Sequence, residues 1–264
     1  MPLSPELKVM PGVAAKFIKS GVAVDVITSL FKNRKDRILI DDLRRVLAQF
    51  EKTTRINLTG FDNMHSAGIV TFNHPNNDIL LPGILKLIVQ ANNVFGKNVS
   101  LVMASEIMLF SNLNQKKEIP GSIGFMNRLH GLYGGSIIST PTVESRNDFL
   151  TGRTAALRKI FRAVESGNIL IIAPEGHSEN NNTISPIETF HTGSGAIIRA
   201  GTKRHIPTTP VGIWSVNGNN KSIWVNVGEQ FFSDKSSNEE AVTDVMQKIA
   251  NLMPQNLRGP FENI

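Results

Sequence analysis

His74 stands at the end of the apolar run 68–72 and is followed by Pro75, Asn76, Asn77 and Asp78, then by a second apolar stretch. An imidazole titrates near neutrality, so it can accept a proton under ordinary conditions. A carboxylate that holds one ring nitrogen fixes the tautomer and leaves the other nitrogen free to act as base. His74 and Asp78 are four positions apart, and a helix that begins at Pro75 would bring both side chains toward one face. The pair is then competent to remove a proton from a hydroxyl group. The same residues could instead cap a helix without chemistry.

A second apolar run, 168–172, leads into Ala173, Pro174, Glu175, Gly176, His177 and Ser178. Proline and glycine on either side of a glutamate imply a tight turn with its carboxyl group close to the strand end. On its own this segment reads equally well as a turn whose glutamate caps the next stretch of chain. His177 and Glu179 on a polar loop do not make a metal-ligand set, and His65, His130 and His205 carry no pattern that assigns them a role.

The elements that must position these residues are set by periodicity. Short aliphatic and β-branched runs alternate with amphipathic stretches, which predicts an α/β fold: a central, mostly parallel mixed sheet flanked by helices, with an N-terminal helical extension. Strands are expected over 68–72, 99–103, 136–139, 168–172, 207–213 and 223–227, and helices over 80–91, 151–165, 193–200 and 238–252. Several of these strands are almost wholly apolar, as when helices cover both faces of a sheet. Residues 1–50 are expected to form two or three helices, and residues 51–264 a catalytic domain. Lys32, Arg34, Lys35 and Arg37 cluster beside Phe31 in the helical region, either as a solvated face or as a contact for an anionic membrane.

Composition narrows the function classes. The absence of cysteine removes disulfides, thiolate nucleophiles and cysteine-ligated zinc, and fits a reducing cytoplasm. No stretch is expected to reach the roughly 18 apolar residues of a spanning helix, so the expected location is cytoplasmic or peripheral on a membrane. A net charge of +6 favours an anionic partner. Nucleic acid is not expected, because the basic residues are dispersed, tyrosine occurs once and no recognition signature is present.

Taken in order, the segments resemble the glycerophospholipid acyltransferases, the family that includes glycerol-3-phosphate and lysophosphatidate acyltransferases. Asn73, His74 and Asp78 match its first motif, and Ile171 to Gly176 its strand ending in Pro-Glu-Gly. The helix with Arg153 and Arg162 before that strand, and Gly193, Gly195 and Pro207 to Val211 after it, keep the family order. The likeness spans residues 67–214. It implies acyl transfer from a thioester donor, acyl-coenzyme A or acyl carrier protein, to a hydroxyl of a lipid or glycerol-type acceptor, with no further cofactor and no metal. His74 would be the general base, Asp78 its orienting partner, and backbone N–H groups near Gly176, Gly134 or Gly135 the oxyanion donors. Pro174, Glu175, Gly176, His177, Ser178, Gly135 and Thr140 would contact substrate. Leu80, Leu81, Ile84 and Leu85 either line an acyl tunnel or belong to the core.

The sequence departs from the family at three places. The spacing from His74 to Asp78 is one residue shorter than in the family, a rotation of about 100° on a regular helix. Thr140 stands where the second motif has arginine, and Ser178 where an arginine commonly comes after Pro-Glu-Gly. Both guanidinium groups that would grip a phosphate are absent. Arg146, Arg153, Lys203, Arg204 or His177 could take their place. The departures leave open a second reading, in which the pocket binds lipid or a protein partner without turnover. A serine hydrolase is a third, but there is no Gly-x-Ser-x-Gly elbow.

Overall fold

The computed structural model describes residues 15–104, 108–110, 116–118, 122–141, 149–175, 183–190, 192–216 and 222–262. Seven strands form the main sheet: β1 (Arg55–Thr59), β2 (Ile69–Phe72), β3 (Val99–Ala104), β6 (Ile137–Thr140), β7 (Ile169–Ile172), β8 (Thr208–Ser215) and β9 (Ser222–Val227). They lie side by side in the order β1-β9-β8-β2-β7-β3-β6. Strands β8, β2, β7, β3 and β6 are mutually parallel, and only β8 with β9 is antiparallel within this sheet. A separate antiparallel pair joins β4 (Met108–Phe110) to β5 (Lys116–Glu118). The expected α/β architecture is therefore present. The edge strand β1 and the β4–β5 pair were not expected from the sequence.

Seven helices accompany the sheet among the described residues: α1 (Val22–Phe31), α2 (Leu39–Glu51), α3 (Asn77–Phe95), α4 (Ser122–Leu132), α5 (Phe149–Glu165), α6 (Thr192–Thr202) and α7 (Asn238–Asn251). Alternation along each strand divides the sheet into two buried faces. Val70, Phe72 and Ile171 pack with α2 and α3. Ile69, Leu170 and Ile172 point the other way, toward α5 and α6, and α7 closes a third cluster with Ile198. The N-terminal helices share the first core: Val22, Leu43, Val46 and Phe50 are buried in it.

Helix α3 positions the site. Its cap is Asn76, whose side chain accepts a hydrogen bond from the Ile79 N–H at 3.3 Å, so the helix starts at Asn77 and not at Pro75 as the sequence suggested. Gly96 closes it in the left-handed conformation (φ 60°), with its N–H bonded to the Asn92 carbonyl. Close approach to the sheet needs Gly83, because a Cβ there would lie 2.9 Å from Cγ2 of Ile213. Contrary to the sequence expectation, this helix is long and apolar enough to cross a membrane by length and composition. Half of its most apolar window is buried inside the protein, where α3 packs between α2 and the sheet.

Candidate active site

Parallel register explains how two distant turns meet. Thr71 of β2 pairs with Ile172 of β7, and each chain runs three residues further, to His74 and Glu175. Both emerge at the carboxyl edge of the sheet, where α/β folds usually place ligands. The backbone N–H of His74 donates to Oε1 of Glu175 at 2.8 Å, across 101 positions of sequence. Oε2 of Glu175 accepts from the Ser185 N–H at 2.8 Å and from its hydroxyl at 2.5 Å. Glu175 is fully buried, and Pro174 beside it is buried as well. The glutamate is thus a clamp that ties the His74 turn to the 183–190 segment. Asn73 adds a second tie, since its amide exchanges two hydrogen bonds with the backbone of Ile213 at 2.9 and 2.7 Å.

Asp78 occupies the first turn of α3, while His74 precedes the cap and lies outside the helix. The helical spacing rule therefore does not apply to the pair. No hydrogen bond or ion pair joins Asp78 to His74 among the described residues. Burial raises the Asp78 pKa above the ordinary carboxylate value, which is the response of a carboxyl group removed from water without a nearby cation.

The His74 side chain lines a cavity of about 750 Å³. The cavity passes over the carboxyl edge of the sheet, because adjacent residues that face opposite ways, Ile171 with Ile172 and Leu101 with Val102, both line it. One arm runs under α3, along Leu80, Leu81, Ile84, Leu85 and Ile88. From Asn77 to Ile88 the helix advances about 16 Å at 1.5 Å per residue. The other arm lies against α5 and α6, along Arg153, Leu157, Ile160, Gly193, Ser194 and Ile197. Asp42 and Tyr133 also border the cavity. Their polar groups are tied together: the Tyr133 hydroxyl donates to Asp42 at 2.7 Å, and Arg37 grips the same carboxyl group at 2.9 and 2.5 Å. Burial and that carboxyl group push the Tyr133 pKa well above its usual value.

Of the residues singled out from sequence, the structure brings together His74, Pro174, Glu175 and Thr140. Thr140 ends β6 at the same sheet edge, lines the cavity and donates its hydroxyl to the Met103 carbonyl at 3.1 Å. Gly135 is not brought to the site. It precedes β6, five residues before Thr140, which places it about 16 Å away at the opposite edge. Gly134 lies there too, so neither can supply an oxyanion donor. Gly176, His177, Ser178 and Arg146 lie outside the described residues. Sequence reasoning missed Ser185, since a serine before proline in a polar stretch reads only as a turn. Among the described residues, no group of three or more histidine or acidic side chains could hold a metal ion.

No protein-family model matches the chain. No curated protein sequence matches it either. Among solved structures, the fold is similar to the crystal structure of the 1-acyl-sn-glycerophosphate (LPA) acyltransferase PlsC from Thermotoga maritima. The identity is 16%, with a TM-score of 0.48 over 90% of this chain and 91% of that chain.

Proposed function

We propose that this protein is an acyltransferase that moves a fatty acyl group from a thioester donor, acyl-coenzyme A or acyl carrier protein, to a hydroxyl of a glycerolipid-type acceptor. The observation that carries the reading is the junction of His74 and Glu175 at the mouth of a largely apolar two-armed cavity. The apolar arm under α3 suits a hydrocarbon chain, whose burial stabilises by about 0.8 kcal/mol per methylene. His74 takes the acceptor hydroxyl proton as the oxygen attacks the thioester carbonyl, and the imidazolium returns that proton to the departing thiolate. In this reading Asp78 turns toward His74 when the imidazole is protonated, because the imidazolium supplies the cation that the buried carboxyl group otherwise lacks among the described residues.

A peripheral position on an anionic membrane belongs to the same reading. Phe31 is 83% exposed, and Val24, Ile27 and Phe125 are also exposed nearby. Ile27, Phe31, Phe125 and Arg128 line one shallow apolar hollow between α1 and α4. Lys32 and Lys35 come soon after Phe31 in the chain. Apolar residues flanked by lysines and arginines fit the interface of an anionic bilayer.

The missing contact between His74 and Asp78 favours one alternative, a protein that holds lipid in this cavity without turnover. A single experiment separates the two: labelled acyl-coenzyme A and acylated carrier protein are offered with lysophosphatidate, glycerol 3-phosphate and monoacylglycerol, and both product and bound lipid are measured. Transferred label supports the acyltransferase. Bound lipid with no product from any pairing would replace it with the silent binder.

A further inference from the structure

The sequence lacks both family arginines that would grip a phosphate, and the structure puts a different cation in the cavity. Arg153 is the one lysine or arginine among the described residues that lines it. The other candidates are occupied elsewhere. Arg204 pairs with Glu165 at 2.9 Å and lies over the Phe161 ring, and Lys203 is exposed at the far end of α6. Arg199, on the same helix, donates to Asn238 at 2.8 Å.

Arg153 projects from the first turns of α5 into the arm opposite the apolar one. Its Nη2 lies 4.0 Å from where a Cβ on Gly193 would stand, so the guanidinium sits against the first turn of α6, and Gly193 and Ser194 line the same arm. A guanidinium carries five N–H donors in a fixed fork that matches phosphate oxygens. It stays protonated throughout the working pH range.

We propose that Arg153 is the phosphate-binding residue of this site, recognising a phosphate ester in the arm against α5 and α6 while hydrocarbon fills the arm under α3. The proposal rests on the acyltransferase reading for the direction of the substrates, but not for the existence of the anion site. The phosphate belongs either to the acceptor or to coenzyme A, and these sources are separable.

The test compares wild type with Arg153→Gln, Arg153→Ala and Arg153→Lys, each checked for an unchanged melting temperature. Steady-state kinetics use lysophosphatidate or phosphate-free monoacylglycerol as acceptor, with acyl-coenzyme A or a short acyl thioester that lacks phosphate as donor. Calorimetry with lysophosphatidate and coenzyme A gives binding without turnover. Loss of one charge-assisted contact should weaken the phosphate-bearing partner about 10–100-fold, leave the phosphate-free partners unchanged, and be partly rescued by lysine. A rise confined to the lysophosphatidate KM assigns the phosphate to the acceptor, and one confined to acyl-coenzyme A assigns it to the donor. Equal affinities of wild type and both neutral variants for both phosphate ligands would overturn the proposal, even if acyl transfer is observed. Weakened phosphate binding in a protein that transfers no acyl group would support Arg153 and remove the acyltransferase reading alone.

Discussion

Truncating Glu175 to alanine removes the acceptor of three hydrogen bonds and leaves the backbone N–H groups of His74 and Ser185 facing a void. A buried donor left unmade costs about 1–3 kcal/mol, so the two amides together cost about 2–5 kcal/mol, with a further cavity contribution from the lost side chain. A domain is stable by only about 5–15 kcal/mol, which makes this a large fraction. Glu175→Gln gives the contrast. Its carbonyl can still accept from His74, and the Ser185 hydroxyl can rotate to accept from its NH₂ group, but the Ser185 N–H then faces a donor. One contact is lost instead of three, for about 1–3 kcal/mol. Urea denaturation monitored by circular dichroism should show the midpoint falling modestly for glutamine and steeply for alanine, with an unchanged slope. Both variants within about 0.5 kcal/mol of wild type, the usual range for surface changes, would refute the clamp.

Asp78→Asn should stabilise the protein at pH 7. The folded chain holds the Asp78 proton to higher pH than the unfolded chain does, so stability falls as pH rises from about 3.9 through the raised folded value, and the penalty is complete above it. Thermal melts from pH 3 to 8 should show the gain of the variant vanishing at the acid end, whereas a lower melting temperature at pH 7 would mean that the carboxylate is already paired. Asp42→Asn should cost about 3–5 kcal/mol in urea denaturation, because Arg37 is left largely buried without its carboxylate. Phe31→Ser should weaken co-sedimentation with phosphatidylglycerol vesicles about tenfold or more, from the roughly 1.5–3 kcal/mol of burying a phenylalanine, and equal binding would remove α1 from the membrane surface.

Much of this fold is legible in the sequence because β2 and β7 are buried on both faces, so 69–72 and 169–172 read as uninterrupted apolar runs. β1 escapes because Arg55, Asn57 and Thr59 interrupt a short edge strand that is only half-buried. α4 escapes because Gly124 and Gly131 weaken the helical signal in its first and last turns. At the site, two apolar strands ending in chemically capable residues are enough to suggest convergence, since parallel strands side by side in a sheet end at the same edge. The start of α3 is misread because Pro75 looks like a first helical residue, whereas the Asn76 side chain sets the cap. Gly135 is misplaced because a glycine pair before a strand resembles the family motif, although the sheet carries it to the other edge. Ser185 has no local signature at all: its partner, Glu175, is fixed only by tertiary structure.

The most direct measurement is acyl transfer by His74→Ala beside the wild type, with labelled donor, the preferred acceptor and a matched melting temperature. General-base catalysis is worth about 10²–10⁴-fold, so the variant should lose turnover by that factor while still binding lipid and keeping its fold. Equal product from the two proteins would contradict the assignment of His74 as the base.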